Sequence, residues 1–136
     1  MSFVLDASVT LAWCFKDESD VRAAKVLGHL SSTTGVVPSI WGLEVANALL
    51  VLRRRKRIEP EQYARARRAL SRLAPRVDDE GPRGALGKIS DLAEKHALSV
   101  YDAAYLELAI RRGLPLASRD ADLNIAAKRS GVKTLL

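Results

Sequence analysis

The chain has 136 residues and a mass of 14.9 kDa, enough for one compact core and too few for two full domains. Its 48% hydrophobic and 28% charged residues exclude a disordered or fibrous chain. The formal net charge of +6 favours an anionic partner such as nucleic acid or an acidic protein, and the single Cys14 excludes an internal disulfide, which fits a reducing cytosol.

The start, "MSFVLDAS", reads as a short buried strand through Phe3, Val4 and Leu5 that ends in Asp6. It lacks the positive segment and apolar run of a secretion signal, so a cytoplasmic protein is expected. "ASVTLAWCF" continues as a brief apolar helix or turn, and "DESD" starts a helix running to about Leu30 through Val21, Ala24 and Leu27. Val36 and Val37 form a second strand. Ser39 is placed to cap the next helix, whose face is read as Ile40, Leu43, Ala46, Asn47, Leu50 and Val51. This segment, "SIWGLEVANALLVL", is interrupted by Glu44 and Asn47 and is too short and polar to cross a membrane.

The helix ends in "RRRKR", residues 53 to 57, where cations suit the negative end of the helix dipole. Pro60 opens a basic helix, "EPEQYARARRALSRL". Val77 lies in a short strand and Gly81 with Pro82 in a turn, after which "ALGKISDLAEKHAL" has helical spacing. Ser99 and Asp102 form a capping pair for "VYDAAYLELAIRRG", closed by Gly113. "LPLAS" is then a strand, "DADLNIAAKRSG" a helix and "VKTLL" a last strand. Strands alternating with helices predict one α/β domain over residues 1–136, a three-layer α/β/α sandwich with a mainly parallel sheet.

In open parallel sheets the functional crevice lies beyond the carboxyl ends of the strands. "FVLD" ends there in Asp6 and "LPLASRD" in Asp120, with Asp122 following; Glu44 and Asp102 lie in first turns of helices that start on the same side. Taken singly, Asp6 and Asp120 also read as helix caps and Asp102 as the partner of Ser99. Glu44 resists such a reading because it interrupts an apolar helix beside Trp41 and Val45. Converging carboxylates repel one another, and burial raises their pKa values unless a cation compensates. Hard oxygen ligands, with neither His29 nor His96 at ligand-like spacing, suit Mg²⁺ or Mn²⁺. That is the chemistry of phosphodiester hydrolysis.

Four stretches in this order, "VLDAS", "PSIWGLEVANAL", "SVYDAAYLELA" and "LASRDADL", make the whole chain resemble the PIN domain, in particular the VapC-type toxins of toxin–antitoxin pairs. The resemblance implies a flavodoxin-like fold and a Mg²⁺- or Mn²⁺-dependent endoribonuclease. Its acidic quartet falls on Asp6, Glu44, Asp102 and Asp120 as catalytic and metal-binding residues. Ser8 would orient Asp6 or a metal-bound water, Asn47 would bind the carboxylate or substrate one turn beyond Glu44, Ser118 matches a Thr or Ser position, and Asp122 is a further acid of that loop. A homodimer and an antitoxin whose C-terminal segment blocks the pocket are also implied. Residues 53 to 76 are richer in Arg than the family pattern, so its substrate preference is not carried over.

Arg53, Arg54, Arg55, Arg65 and Arg68 are candidates for an RNA cradle, or else a solvated helix end. Tyr101 could stack a base; Tyr105, Trp13, Trp41 and Cys14 read as apolar packing residues. Two rival functions remain. One is a non-catalytic PIN-like binding module. The other is a phosphatase with Asp6 as nucleophile, for which Ser8 stands where a second Asp is needed.

Overall fold

The computed structural model describes residues 2–15 and 34–136; the helix expected up to Leu30 lies outside them. Four parallel strands form one sheet in the order β3-β2-β1-β4. They are β1 (Ser2–Leu5), β2 (Thr34–Pro38), β3 (Arg76–Asp78) and β4 (Leu116–Ala117). β1 is central, with Val4 opposite Val36 on one side and Leu116 on the other. Phe3, Val4 and Leu5 are all buried, as an apolar run with both faces covered requires. The strand order reverses between β2 and β4 around β1, so the crevice expected of this topology opens beyond Leu5 and Ala117.

Helices flank this sheet in a three-layer α/β/α arrangement. α1 (Ala7–Cys14), α2 (Trp41–Arg54) and α3 (Pro60–Ser71) pack on one another. α4 (Ser90–His96) and α6 (Ala121–Arg129) pack against α5 (Val100–Arg112), which itself lies on β1 and β2. The punctuation of α3 and α5 follows the sequence: Pro60 opens α3 behind a Glu59–Gln62 capping box, Ser99 caps α5, and Gly113 ends it at φ 63°.

Four expectations are corrected. Ser39 does not cap α2; Ile40 occupies the cap position, without a side-chain bond. The buried face of α2 is Trp41, Val45 and Leu49, while Leu43, Ala46 and Asn47 are exposed. This stretch is apolar around most of its circumference, so periodicity could not choose the face. Burial of the Trp41 indole, whose N–H donates to the buried Thr10 hydroxyl at 3.1 Å, does. The helix expected from Ala85 begins instead as a wide turn over Ala85–Ile89 with Gly87 out of helical geometry, and Leu86 is 98% exposed. Finally, "VKTLL" contributes only a bridge from Thr134 to Leu116.

One cluster was not foreseen. Asp78, at the end of β3, is 1% exposed and is gripped by two arginines of α5. Arg111 donates to both its oxygens, at 3.1 and 2.6 Å, and Arg112 to Oδ1 at 2.8 Å. Arg111 also binds Glu107 at 2.7 Å and Glu80 at 3.0 Å. The guanidinium of Arg111, ahead of opposing desolvation, holds the Asp78 carboxyl down at about 2.

Candidate active site

Asp6 leaves β1 at its carboxyl end, its N–H donating to Ala117 of β4 at 3.0 Å. It occupies the cap position of α1 but makes no side-chain cap bond. Its Oδ2 instead receives the hydroxyls of Ser8 at 2.9 Å and Ser118 at 2.7 Å. Those hydroxyls accept in turn: Ser8 from the Arg119 N–H and Ser118 from the Asp120 N–H, each at 3.0 Å. The side chain is therefore oriented by the β4–α6 loop rather than used to start a helix. Behind it, the Asp6 carbonyl accepts from Thr10, which Trp41 holds.

Glu44 is half-buried in the first turn of α2, and its Oε1 accepts the Tyr105 hydroxyl at 2.6 Å. Tyr105 is fully buried, so its expected packing role holds, and it is also the orienting partner of a candidate acid 61 residues away. No spacing in the sequence signals that contact. Asp102 is half-buried beside the Ser99 cap, whose hydroxyl accepts the Asp102 N–H at 3.0 Å. Asp120 accepts the Leu123 N–H at 2.8 Å through Oδ1, so the capping reading of this residue is realised within the cluster. Asn124 ties the same loop down by donating to the Ser118 carbonyl at 2.9 Å.

Asp6, Glu44 and Asp102 each feel neighbouring acids. Burial raises the Asp6 pKa, opposed by the Ser118 and Ser8 hydroxyls, while Asp120 adds to the rise. Glu44 is raised by burial and by Asp6 and Asp102 against the Tyr105 bond. Asp102 is raised by burial, then by Asp6 and Asp120, with a smaller contribution from the exposed Asp122. Carboxylates in this position gain from a bound cation.

The remaining predicted residues divide. Ser8 and Ser118 join the cluster. Asn47 is exposed and makes no hydrogen bond to Glu44, whose partner is Tyr105. Arg53, Arg54 and Arg55 end α2, about 13 Å or more of helix beyond Glu44, and Arg65 and Arg68 are exposed on α3. Among the described residues no three acids lie close enough together to hold an ion as their side chains stand. The donor set nevertheless fits a hard divalent cation chemically: carboxylate oxygens with neighbouring hydroxyls, and mutual repulsion that such an ion relieves.

The PIN domain family matches residues 3–129. The chain belongs to the PIN domain family. A search of curated protein sequences returns no significant match. Among solved structures, this PIN domain is similar to PAE2754 from Pyrobaculum aerophilum, with a TM-score of 0.72 and 24% identity over 99% of this chain and 92% of that one. It is similar to a chain of VapBC2 from Rickettsia felis, bound to a DNA fragment from their promoter, with a TM-score of 0.66 and 16% identity over 98% and 97%. A toxin–antitoxin complex from Klebsiella pneumoniae gives a TM-score of 0.61 and 19% identity over 98% of each chain. No helix of the described residues is long and apolar enough to cross a membrane.

Proposed function

We propose that this PIN domain is a divalent-metal-dependent endoribonuclease that acts as the toxin of a toxin–antitoxin pair. The observation that carries the reading is Asp6: a buried carboxylate at the end of the central strand, oriented by two hydroxyls, with a pKa raised by burial and by Asp120. Asp6, Glu44, Asp102 and Asp120 would hold Mg²⁺ or Mn²⁺. When bound, such an ion supplies an activated water and charge neutralisation at the phosphate. The protein's own residues fix the approach. Ser8 and Ser118 keep Asp6 in one rotamer, Tyr105 does the same for Glu44, and Asn124 holds the loop that carries Ser118.

The toxin reading is supported by the likeness to VapBC2 and to the Klebsiella toxin–antitoxin complex, and it brings an antitoxin and a homodimer with it. The basic balance of the chain suits RNA, with Arg53, Arg54, Arg55, Arg65 and Arg68 as outlying backbone contacts rather than flanks of the acids.

Purified protein is incubated with total RNA in Mg²⁺, in EDTA, and as Asp6→Asn in Mg²⁺. Cleavage is expected in the first alone. Equal cleavage in all three exposes a contaminant and sinks the assignment, and no cleavage in any favours the binding-module reading.

A further inference from the structure

Beside the acids lies a second feature, a cavity of about 340 Å³ with largely apolar walls that include Pro38, Ile40, Pro82, Ile89 and Tyr101. It is tied to the acidic cluster at two points of the chain. Tyr101 immediately precedes Asp102, and Ile40 lies one helical turn before Glu44, whose N–H donates to the Ile40 carbonyl at 2.9 Å. The Tyr101 side chain stays 60% exposed in spite of lining the cavity, so a ring face is available to an incoming group. Asp78 also borders the space, but its oxygens are engaged by Arg111, Arg112 and the Gly81 N–H.

The segment 81–89, which gives Gly81, Pro82, Ala85 and Ile89 to the wall, carries no acid and, next to Pro82 and Ile89, has Arg83 and Lys88. Both are exposed, and neither is in an ion pair among the described residues, unlike Arg111 and Arg112. An apolar slot with an aromatic face, two exposed cations in the segment that walls it and the proposed cleavage site one residue away is complementary to one nucleotide of single-stranded RNA. An apolar side chain of another protein would fill the slot but leave both cations without a role.

We infer that this cavity receives an unpaired nucleobase adjacent to the phosphate held at the acids, stacked on Tyr101, with Arg83 and Lys88 on the neighbouring backbone. The assignment rests on the endoribonuclease reading for the position of that phosphate. It makes Tyr101 a substrate-binding residue and gives the protein a source of sequence or structure preference that the acids cannot supply.

The test measures binding without turnover. A labelled single-stranded oligoribonucleotide, and a series in which one abasic nucleotide is moved along it, are titrated by fluorescence anisotropy with the full chain in EDTA. Tyr101→Ala should weaken binding of the parent strand about 10-fold, and Tyr101→Phe should restore it because the ring remains. At one position the abasic substitution should weaken wild-type binding and have no further effect in Tyr101→Ala, a non-additive cycle. Reversing Arg83 and Lys88 to Glu should weaken the parent strand and flatten the salt dependence.

Losses that are the same at every abasic position in both proteins overturn the base pocket. So does a Tyr101→Ala variant that changes only the sedimentation of the chain alone, which would make the slot a contact between copies. Cleavage in Mg²⁺ without positional coupling removes the pocket and leaves the nuclease; coupling without cleavage does the reverse.

Discussion

Two sets of buried carboxylates sit near the carboxyl ends of two strands of one sheet, β3 and β1, and the protein treats them in opposite ways. Asp78 ends β3 at 1% exposure and Asp6 follows β1 at 5%. The first is met by two guanidinium groups and its pKa falls to about 2; the second has its pKa raised by burial and by Asp120, against two serine hydroxyls that only partly oppose the rise. Arginine neutralises a buried charge permanently and locks two elements together. Hydroxyls orient a carboxylate without compensating its charge. The β3 cluster is thus a finished structural joint, whereas the β1 cluster keeps a demand for positive charge that a diffusible cation can meet.

The largest expected effect is at the second cluster. Asp6→Asn should reduce RNA cleavage by about 1000-fold or more, since it removes a central charge of the site. The same change relieves a desolvated, repelled carboxylate, so the metal-free protein should melt at an equal or higher temperature. A variant that loses cleavage because it unfolds would contradict this account of Asp6. Arg111→Ala is the counterpart at the joint. It leaves Asp78 buried with Arg112 alone and should cost about 3 kcal/mol in urea unfolding. Replacing both partners, as Asp78→Asn with Arg111→Met, should cost less than Arg111→Ala alone, because no charge is then stranded.

The two clusters also have opposite pH signatures. Asp78 is depressed in the folded state, so its stabilisation is present above the ordinary carboxylate pKa and is lost as pH falls toward about 2. That loss amounts to about 2 kcal/mol. Asp6, Glu44 and Asp102 are raised, so their sign is reversed: stability is gained on protonation, fully present below 3.8 to 4.5, and lost as pH rises through their folded values. Metal-free protein should therefore show a stability maximum in mild acid. Mg²⁺ or Mn²⁺ should raise the melting temperature at neutral pH, by a smaller amount in Asp6→Asn. A melting temperature indifferent to both ions would remove the contrast between the clusters.

The sequence discloses the second cluster and hides the first for a physical reason. Asp6 and Asp120 stand where apolar strand residues give way to a helix, and Glu44 breaks an apolar helix, so each is anomalous against its immediate neighbours. Asp78 lies in "RVDDEGPRG", where an acid looks solvated. Its burial depends on arginines 33 and 34 positions away, and only the Glu107–Arg111 spacing hints that this helix end is tied to anything. The same limit explains the facing of α2. Local spacing finds the helix, but the choice of Trp41, Val45 and Leu49 over Leu43 and Leu50 is made by the fit of the indole against Thr10. Sheet order is likewise tertiary, yet the strand-end rule put Asp6 and Asp120 at one edge without it, because that rule depends only on parallel strands.

Tyr105→Phe is the smallest and most discriminating change, since it removes one hydroxyl and leaves the ring in the core. Its stability cost should be about 1 kcal/mol, the usual value of a buried hydrogen bond. If Tyr105 only packs, cleavage should follow that loss and be unchanged at temperatures where the variant is folded. If it fixes the Glu44 carboxylate as the 2.6 Å bond indicates, cleavage should fall about 10-fold and half-saturation should need more Mg²⁺. Because Glu44 would then lose the bond that opposes its upward shift, the acid limb of the pH–rate profile should also move to higher pH. An equal change at Arg111→Ala, measured on folded protein, would mean that the two clusters are coupled through α5, which carries both Tyr105 and Arg111.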